Sequence, residues 1–379
     1  MGISWILLIA AVVFFAQHRV YRRFGFRGLR VTREFDRQRL YAGEELEMIE
    51  TIVNRKPLPL PWLRLEAMLP AGLHFHQQTS LDVSTGDMYQ NHKSLFSLMP
   101  YTKIVRRHRI RCMKRGWYRL ETVAVSIGDV LGLQAASTQQ KHQAELLVYP
   151  QLARRDEIAL PSSSWQGDIT VKRWIVPDPF LKSGVREYRY GDTINSIHWK
   201  ATARSQRLQV HSRDYTADPR LLLLLNTQIT ETMWEAVSEP ELVEQGLRYA
   251  ATLAHDAIGQ GVPVGFGSNS YTPEAPHTPL YVPPEGGWPQ LEYLMELMAK
   301  MEVACCRTFA DYLQQYVDAD GTAMDIVLIT AFVSDKIEAQ AERLRAAGHA
   351  VFVVDLHSAL MPAAAGKEAD ADEPPAAAG

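Results

Sequence analysis

Between Ser183 and Arg204 the chain concentrates side chains able to do chemistry. Asp192, His198 and Lys200 are an acid, an imidazole and an amine, the types that move protons. Gly191 permits a backbone conformation closed to other residues, and Asp192 can accept hydrogen bonds from nearby amides or from Arg186 or Arg204. Three roles fit these types. The network and the large ring of Trp199 would lock a crossing segment onto the following domain; the same residues would form a docking surface for a partner; or Asp192, His198 and Lys200 would carry out a hydrolysis. Closeness in sequence does not place three groups around one substrate, so the first two roles come before catalysis.

A second candidate follows the apolar run Leu221 to Leu225. Such a run is the mark of a strand buried on both faces of a parallel sheet, and ligands of open α/β sheets gather at the carboxyl ends of the strands. There the chain offers Asn226, Gln228 and Thr230, with Thr330 on a later strand end. All are neutral. Magnesium dehydrates reluctantly and normally takes at least one carboxylate, so no metal or other cofactor is expected. Other enzyme templates are missing: there is no Gly-rich loop ending in Gly-Lys-Ser/Thr, no His-Glu-x-x-His and no Gly-x-Ser-x-Gly. No small-molecule substrate suggests itself, and a non-catalytic interaction module is the expectation.

The elements that position these residues are legible from periodicity. At 379 residues, 46% hydrophobic and 22% charged, the chain can fill about two or three cores. Its formal net charge of -3 draws it to neither nucleic acid nor anionic lipid as a whole. Ile3 to Ala16 carry no charge, and Arg19, Arg22, Arg23, Arg27, Arg30 and Arg33 follow at once. That asymmetry predicts a single-pass anchor with the amino terminus outside and the bulk in the cytoplasm. The helix would extend through Val20 and Tyr21, with His18 and Arg19 reaching towards head groups. From about Arg30 to Pro150, alternating runs such as Leu46 to Val53, Leu63-Leu65-Met68, Ile104 to Met113 and Trp117 to Ile127 predict an immunoglobulin-like β-sandwich. The basic run Arg106 to Arg111 lacks interleaved aromatics and reads as the wet face of a strand, so nucleic acid is not an expected partner. After Arg220, apolar runs at 262–266, 326–329 and 351–354 alternate with helical patterns around Leu247, Met295 and Ala341, which predicts an open α/β sheet. Cys112, Cys305 and Cys306 have no spacing for a disulfide framework or a zinc site, and a reducing compartment fits them.

The 183–204 stretch resembles the signature of the domain-of-unknown-function 58 family. There an Arg and a Tyr precede Gly-Asp, and an Ile, an acidic residue or His, Trp, Lys, Ala and Ala-Arg follow. Arg186, Tyr188, Gly191, Asp192, Ile197, His198, Trp199, Lys200, Ala201, Ala203 and Arg204 match. Arg115-Gly116-Trp117-Tyr118, Asp129 to Leu133 and Leu147 to Pro150 look like the same family, whereas Asn195 stands where it often has Arg and Val130 where it has Pro. The resemblance implies a von Willebrand factor A-like α/β domain whose metal motif, Asp-x-Ser-x-Ser in that fold, is degenerate here as Asn226, Gln228 and Thr230. It also implies work with a MoxR-type AAA+ ATPase. The expected organisation is a membrane anchor with basic flank (1–29), a β-sandwich (30–150), an extended linker (151–182), the signature segment (183–218), the α/β domain (219–361) and a disordered tail (362–379). The expected function is that of an inner-membrane, cytoplasm-facing adaptor in assembly or maturation of client proteins. The alternatives are a hydrolase built on Asp192, His198 and Lys200, or a self-associating envelope structural protein.

Overall fold

The computed structural model describes residues 2–70, 72–75, 81–85, 89–130, 134–158, 184–187, 199–212, 220–233, 237–317 and 324–357. They fall into two compact units, Met1–Gln151 with Met298–Lys300, and Leu152–Leu297 with Met301–Gly379.

The first unit opens on helix α1 (Gly2–Phe24), whose stretch Ser4–Phe24 is long and apolar enough to cross a membrane. Trp5, Ile9, Val13 and Phe15 are exposed along it. Its last turns behave differently. Tyr21 is buried in the core of the strands that follow, so it is a core residue and not, as its place in the apolar stretch suggests, part of a free span. A Cβ on Gly25 would collide with the Ile127 side chain and the Tyr21 carbonyl, so only glycine lets the helix end approach this closely. Lys56 Nζ donates to the carbonyls of Phe24 and Gly25, and a cation there also suits the negative end of the helix dipole.

Ten strands follow: β1 (Leu29–Phe35), β2 (Arg39–Tyr41), β3 (Glu45–Asn54), β4 (Leu60–Pro70), β5 (Leu73–Phe75), β6 (Leu81–Thr85), β7 (Tyr89–Leu98), β8 (Lys103–Cys112), β9 (Gly116–Gly128) and β10 (Gln134–Tyr149). They form a four-stranded sheet in the order β1-β3-β8-β5 and a six-stranded sheet in the order β2-β10-β9-β4-β7-β6. Alternation explains the pairing, since Leu46, Met48 and Ile52 of β3 point inward between partly exposed neighbours. Buried side chains of both sheets share two apolar clusters, one around Ile52, Leu63 and Val125 and one around Met48, Leu73 and Leu146, which makes the unit a β-sandwich. In β4 the inward face is Leu63, Leu65, Ala67 and Leu69; Met68 is 68% exposed and leaves the expected set. In β8, Arg107, Arg109 and Arg111 face water as expected, but His108 is buried.

In the second unit β11 (Gly184–Glu187) and β12 (Gln209–Ser212) form an antiparallel pair, and α2 (Trp199–Ser205) lies between them in the chain. A five-stranded sheet in the order β15-β14-β13-β16-β17 follows, built from β13 (Leu221–Leu225), β14 (Val264–Ser268), β15 (Leu280–Glu285), β16 (Asp325–Thr330) and β17 (Ala350–Asp355). All neighbours are parallel except β14 and β15. Every leucine of β13 is buried, as a central strand covered on both faces requires. The helices are α3 (Pro240–Gly259), α4 (Trp288–Lys300), α5 (Phe309–Val317) and α6 (Asp335–Ala346). Ser334 caps α6 by accepting from the Ile337 amide, with acidic residues in its first turn and basic ones in its last, which suits the helix dipole.

The start of the expected linker is held to α3. The Ala153 amide donates to Thr252 Oγ1 (2.8 Å), Arg155 Nε donates to Asp256 Oδ2 (2.9 Å), and Tyr249 OH donates to the Glu157 carbonyl (2.9 Å). Residues 159–183 and the tail from 358 lie outside the described residues.

Candidate functional site

At the carboxyl edge of the parallel sheet the chain leaves β13 through Asn226, Thr227 and Gln228, all buried. Ser268, Asn269 and Ser270 at the end of β14 and Thr330 at the end of β16 are buried beside them. Buried polar atoms need partners, and these find them in one another. Asn226 Nδ2 donates to Thr330 Oγ1 (3.0 Å), which donates in turn to the Phe332 carbonyl (2.7 Å). Asn226 Oδ1 accepts from the Gln228 amide (2.9 Å) and from Asn269 Nδ2 (3.3 Å). Asn269 Oδ1 accepts from the Thr227 amide (2.9 Å), and Gln228 Oε1 accepts from the Phe309 amide at the head of α5 (2.6 Å). Thr230 is exposed and stands outside this ring.

No carboxylate belongs to the ring. Among the described residues no group of three or more His, Cys, Asp or Glu side chains is placed to hold a metal. A divalent cation would meet neutral oxygens already engaged in hydrogen bonds, a donor set that does not fit magnesium. The cysteines complete the knot: Cys305 Sγ donates to the Arg307 carbonyl (2.8 Å) and Cys306 Sγ to the Asn269 carbonyl (3.0 Å). Burial pushes both thiols up, away from the thiolate form a nucleophile needs.

The signature residues are divided. Tyr188, Gly191, Asp192, Ile197 and His198 lie outside the described residues, and Arg186 stands on β11 opposite Val210 of β12. Trp199, Lys200 and Arg204 come together on α2, where no residue is buried. The Trp199 ring is 65% exposed, so it does not lock this segment as expected. Within the segment itself, Thr202 Oγ1 accepts from the Gln209 amide (3.0 Å) and ties α2 to β12.

Periodicity alone does not announce a third group, inside the sandwich. Arg33 of β1 and Glu50 of β3 sit directly opposite each other, and His92 and Ser94 of β7 and His108 of β8 are buried with them. Arg33 Nε donates to Glu50 Oε1 (2.7 Å), and His108 Nε2 lies 3.6 Å from Glu50 Oε2. The His92 and His108 rings meet edge to face at 5.3 Å. Burial raises the Glu50 pKa, but the hydrogen bonds and charges of His108 and Arg33 outweigh it and hold the carboxyl at about 2. Burial, helped by the Arg33 charge, pulls His92 down to about 3. The available signal was Glu50 itself, a charge at an inward position of the β3 alternation.

A shallow groove of about 420 Å³ lies along the edge strand β15 and the start of α4, lined by Tyr281, Pro283, Pro289, Gln290 and Tyr293 among others.

Residues 184–370 match the family described as "Protein of unknown function DUF58". The "Uncharacterized protein YeaD" of Bacillus subtilis (strain 168) is 23% identical over 268 residues, covering 70% of this chain and 62% of its own length. Among solved structures, a non-cellulosomal cohesin from the archaeon Archaeoglobus fulgidus is 12% identical with a TM-score of 0.24, covering 34% of this chain and 94% of its own. The CARDB domain of the PF1109 protein from Pyrococcus furiosus, solved in complex with di-metal ions, is 14% identical with a TM-score of 0.21, covering 32% of this chain and 96% of its own.

Proposed function

Because residues 184–370 of the chain belong to the DUF58 family, we propose that it is a membrane-anchored interaction module that presents its signature segment to a protein partner and catalyses no reaction. One observation carries this reading: Trp199, the largest side chain of the signature, is 65% exposed and flanked on α2 by exposed Lys200 and Arg204. Tryptophan and arginine are over-represented among residues that dominate protein interfaces, and a structural role would have buried the ring. The neutral, self-satisfied ring of Asn226, Asn269 and Thr330 supports a module that needs neither metal nor cofactor. The mostly parallel sheet agrees with a von Willebrand factor A-like domain, and the resemblance to the domain-of-unknown-function 58 signature implies a MoxR-type AAA+ ATPase as the partner, acting on client proteins.

The side of the membrane follows from charge. Arg19, Arg22 and Arg23 near the end of α1, Arg27 just after it and Arg30 on β1 are exposed, while Arg33 is buried against Glu50 and drops out of the count. Clustered exposed arginines resist translocation and keep both units on the cytoplasmic side. The test is capture of a purified MoxR-type ATPase by the full chain in lipid nanodiscs, with ATP analogue, ADP or no nucleotide. Binding that Trp199→Ala weakens at least tenfold is the expected result; no capture in any nucleotide state overturns the reading.

A further inference from the structure

We propose that the end of the β-sandwich from which α1 emerges lies on an anionic lipid surface, with Val130, Met99 and Tyr101 seated in the interfacial layer. The proposal deepens the membrane-anchor reading and rests on it. Three turns close that end. The register pairs Leu60 with Leu98 and Trp62 with Gly128, so the β7–β8 turn and the β9–β10 turn leave the six-stranded sheet at the same edge. The β3–β4 turn joins them, since Asn54 Nδ2 donates to the Leu58 and Met99 carbonyls (both 3.0 Å) and the Tyr101 amide to the Lys56 carbonyl (3.3 Å). Lys56 in turn holds the carboxyl end of α1.

The helix is therefore no flexible tether. Tyr21 and Gly25 are packed into the sandwich, and His18 Nδ1 reaches Asp129 Oδ2 at 3.5 Å. Exposed apolar side chains run along α1 up to that contact and past it: Val13 is 57% exposed, Phe15 68%, Val20 41% and Phe24 38%. Only Gln17, His18 and Arg19, less than one helical turn, stand between the apolar stretch ending at Ala16 and the apolar Val20, so lipid around Phe15 also comes close to the turn that carries Asp129 and Val130.

The turns fit that neighbour. Val130 is 62% exposed, Met99 67% and Tyr101 70%, a set of large apolar side chains at one sandwich end. Tyr101 holds a left-handed φ of 53°, uncommon for a residue with a side chain. Tyrosine favours the head-group level, where its ring is shielded and its hydroxyl stays wet. Arg19, Arg22 and Arg23 are exposed at the same end, where each guanidinium is attracted to a negatively charged leaflet.

The experiment uses the full chain with p-benzoylphenylalanine at one position at a time, in vesicles of phosphatidylcholine with and without phosphatidylglycerol. Adducts are read by mass spectrometry after illumination. Leu8 reports the helix, Val130, Met99 and Tyr101 report the sandwich end, and Met68, 68% exposed on β4, reports a distant part of the same sheet. Lipid adducts at Leu8 and at all three turn positions but not at Met68, stronger with phosphatidylglycerol, are expected. Adducts at Leu8 alone overturn the proposal and leave the anchor standing. Absence of adducts at Leu8 removes both, and adducts at Met68 equal to those at Tyr101 reduce the contact to indiscriminate adsorption and overturn it.

Discussion

Arg33 and Glu50 face each other across neighbouring strands with no solvent exposure on either side chain, joined by a hydrogen bond of 2.7 Å in the interior of the sandwich. A buried pair of this kind adds little net stability, because desolvation offsets most of the attraction, but removing one partner strands the other. Glu50→Ala should therefore destabilise the sandwich by about 3–5 kcal/mol, whereas the double change Arg33→Met with Glu50→Leu should recover most of that loss. Chemical denaturation of the parent, Glu50→Ala and the double variant measures it. A Glu50→Ala chain as stable as the parent would mean that the pair is not formed.

The same cluster makes the sandwich sensitive to mild acid. His92 is held neutral, its pKa lowered from 6.5 to about 3 by burial and by Arg33, while Glu50 and His108 face it across the same interior. A lowered folded-state pKa means that the unfolded chain binds the proton first as pH falls. The contribution is complete above about pH 6.5 and is lost progressively towards pH 3, amounting to up to about 2 kcal/mol by pH 5. Glu50, lowered from 4.5 to about 2, adds its own loss as pH falls from about 4.5 towards 2. Thermal melts should fall between pH 7 and pH 5, and His92→Leu should flatten that window. An unchanged slope in His92→Leu would assign the acid sensitivity elsewhere.

Trp199 separates a lock from a docking surface. A ring 65% exposed contributes little to folding, so Trp199→Ala should change stability by no more than about 0.5 kcal/mol while reducing partner capture. Equal loss of stability and capture would return Trp199 to the structural role its size suggests.

These three cases show what a linear pattern reveals and what it conceals. Period-two alternation located β3, β8 and β9, and continuous apolar runs located β13, β14, β16 and β17, because burial of one or both faces writes itself directly into residue type. β15 escaped notice because Pro283 and Pro284 interrupt it, which an edge strand tolerates but which reads as a turn. Neutral residues at Asn226 and Gln228 were visible, but their mutual satisfaction through Asn269 and the α5 amide joins segments far apart in the chain. Tyr21 and Trp199 misled in opposite directions, since Tyr21 sits in an apolar stretch yet is covered by the sandwich and Trp199 is large yet exposed: only tertiary packing decides which ring is covered.

Asn226→Asp tests the sheet edge most directly. The Asn226 amide nitrogen donates to Thr330 Oγ1 and its oxygen accepts from Gln228 and Asn269, so the side chain must present both a donor and an acceptor. Aspartate keeps the acceptor, loses the donor and places a charge beside neutral groups in a fully buried position. Losing a buried partner costs about 1–3 kcal/mol, with more for an uncompensated charge. The same substitution restores one carboxylate to an edge that otherwise offers hydroxyl and amide oxygens, the minimum that magnesium asks of a protein site. The parent chain should melt at the same temperature with magnesium or with chelator. Asn226→Asp should melt lower in chelator and regain part of the loss as magnesium is added. A parent chain stabilised by magnesium would show that a cation already binds at the edge or elsewhere, and an Asn226→Asp chain indifferent to it would show that the engaged neutral ring, not the missing charge alone, keeps the ion out.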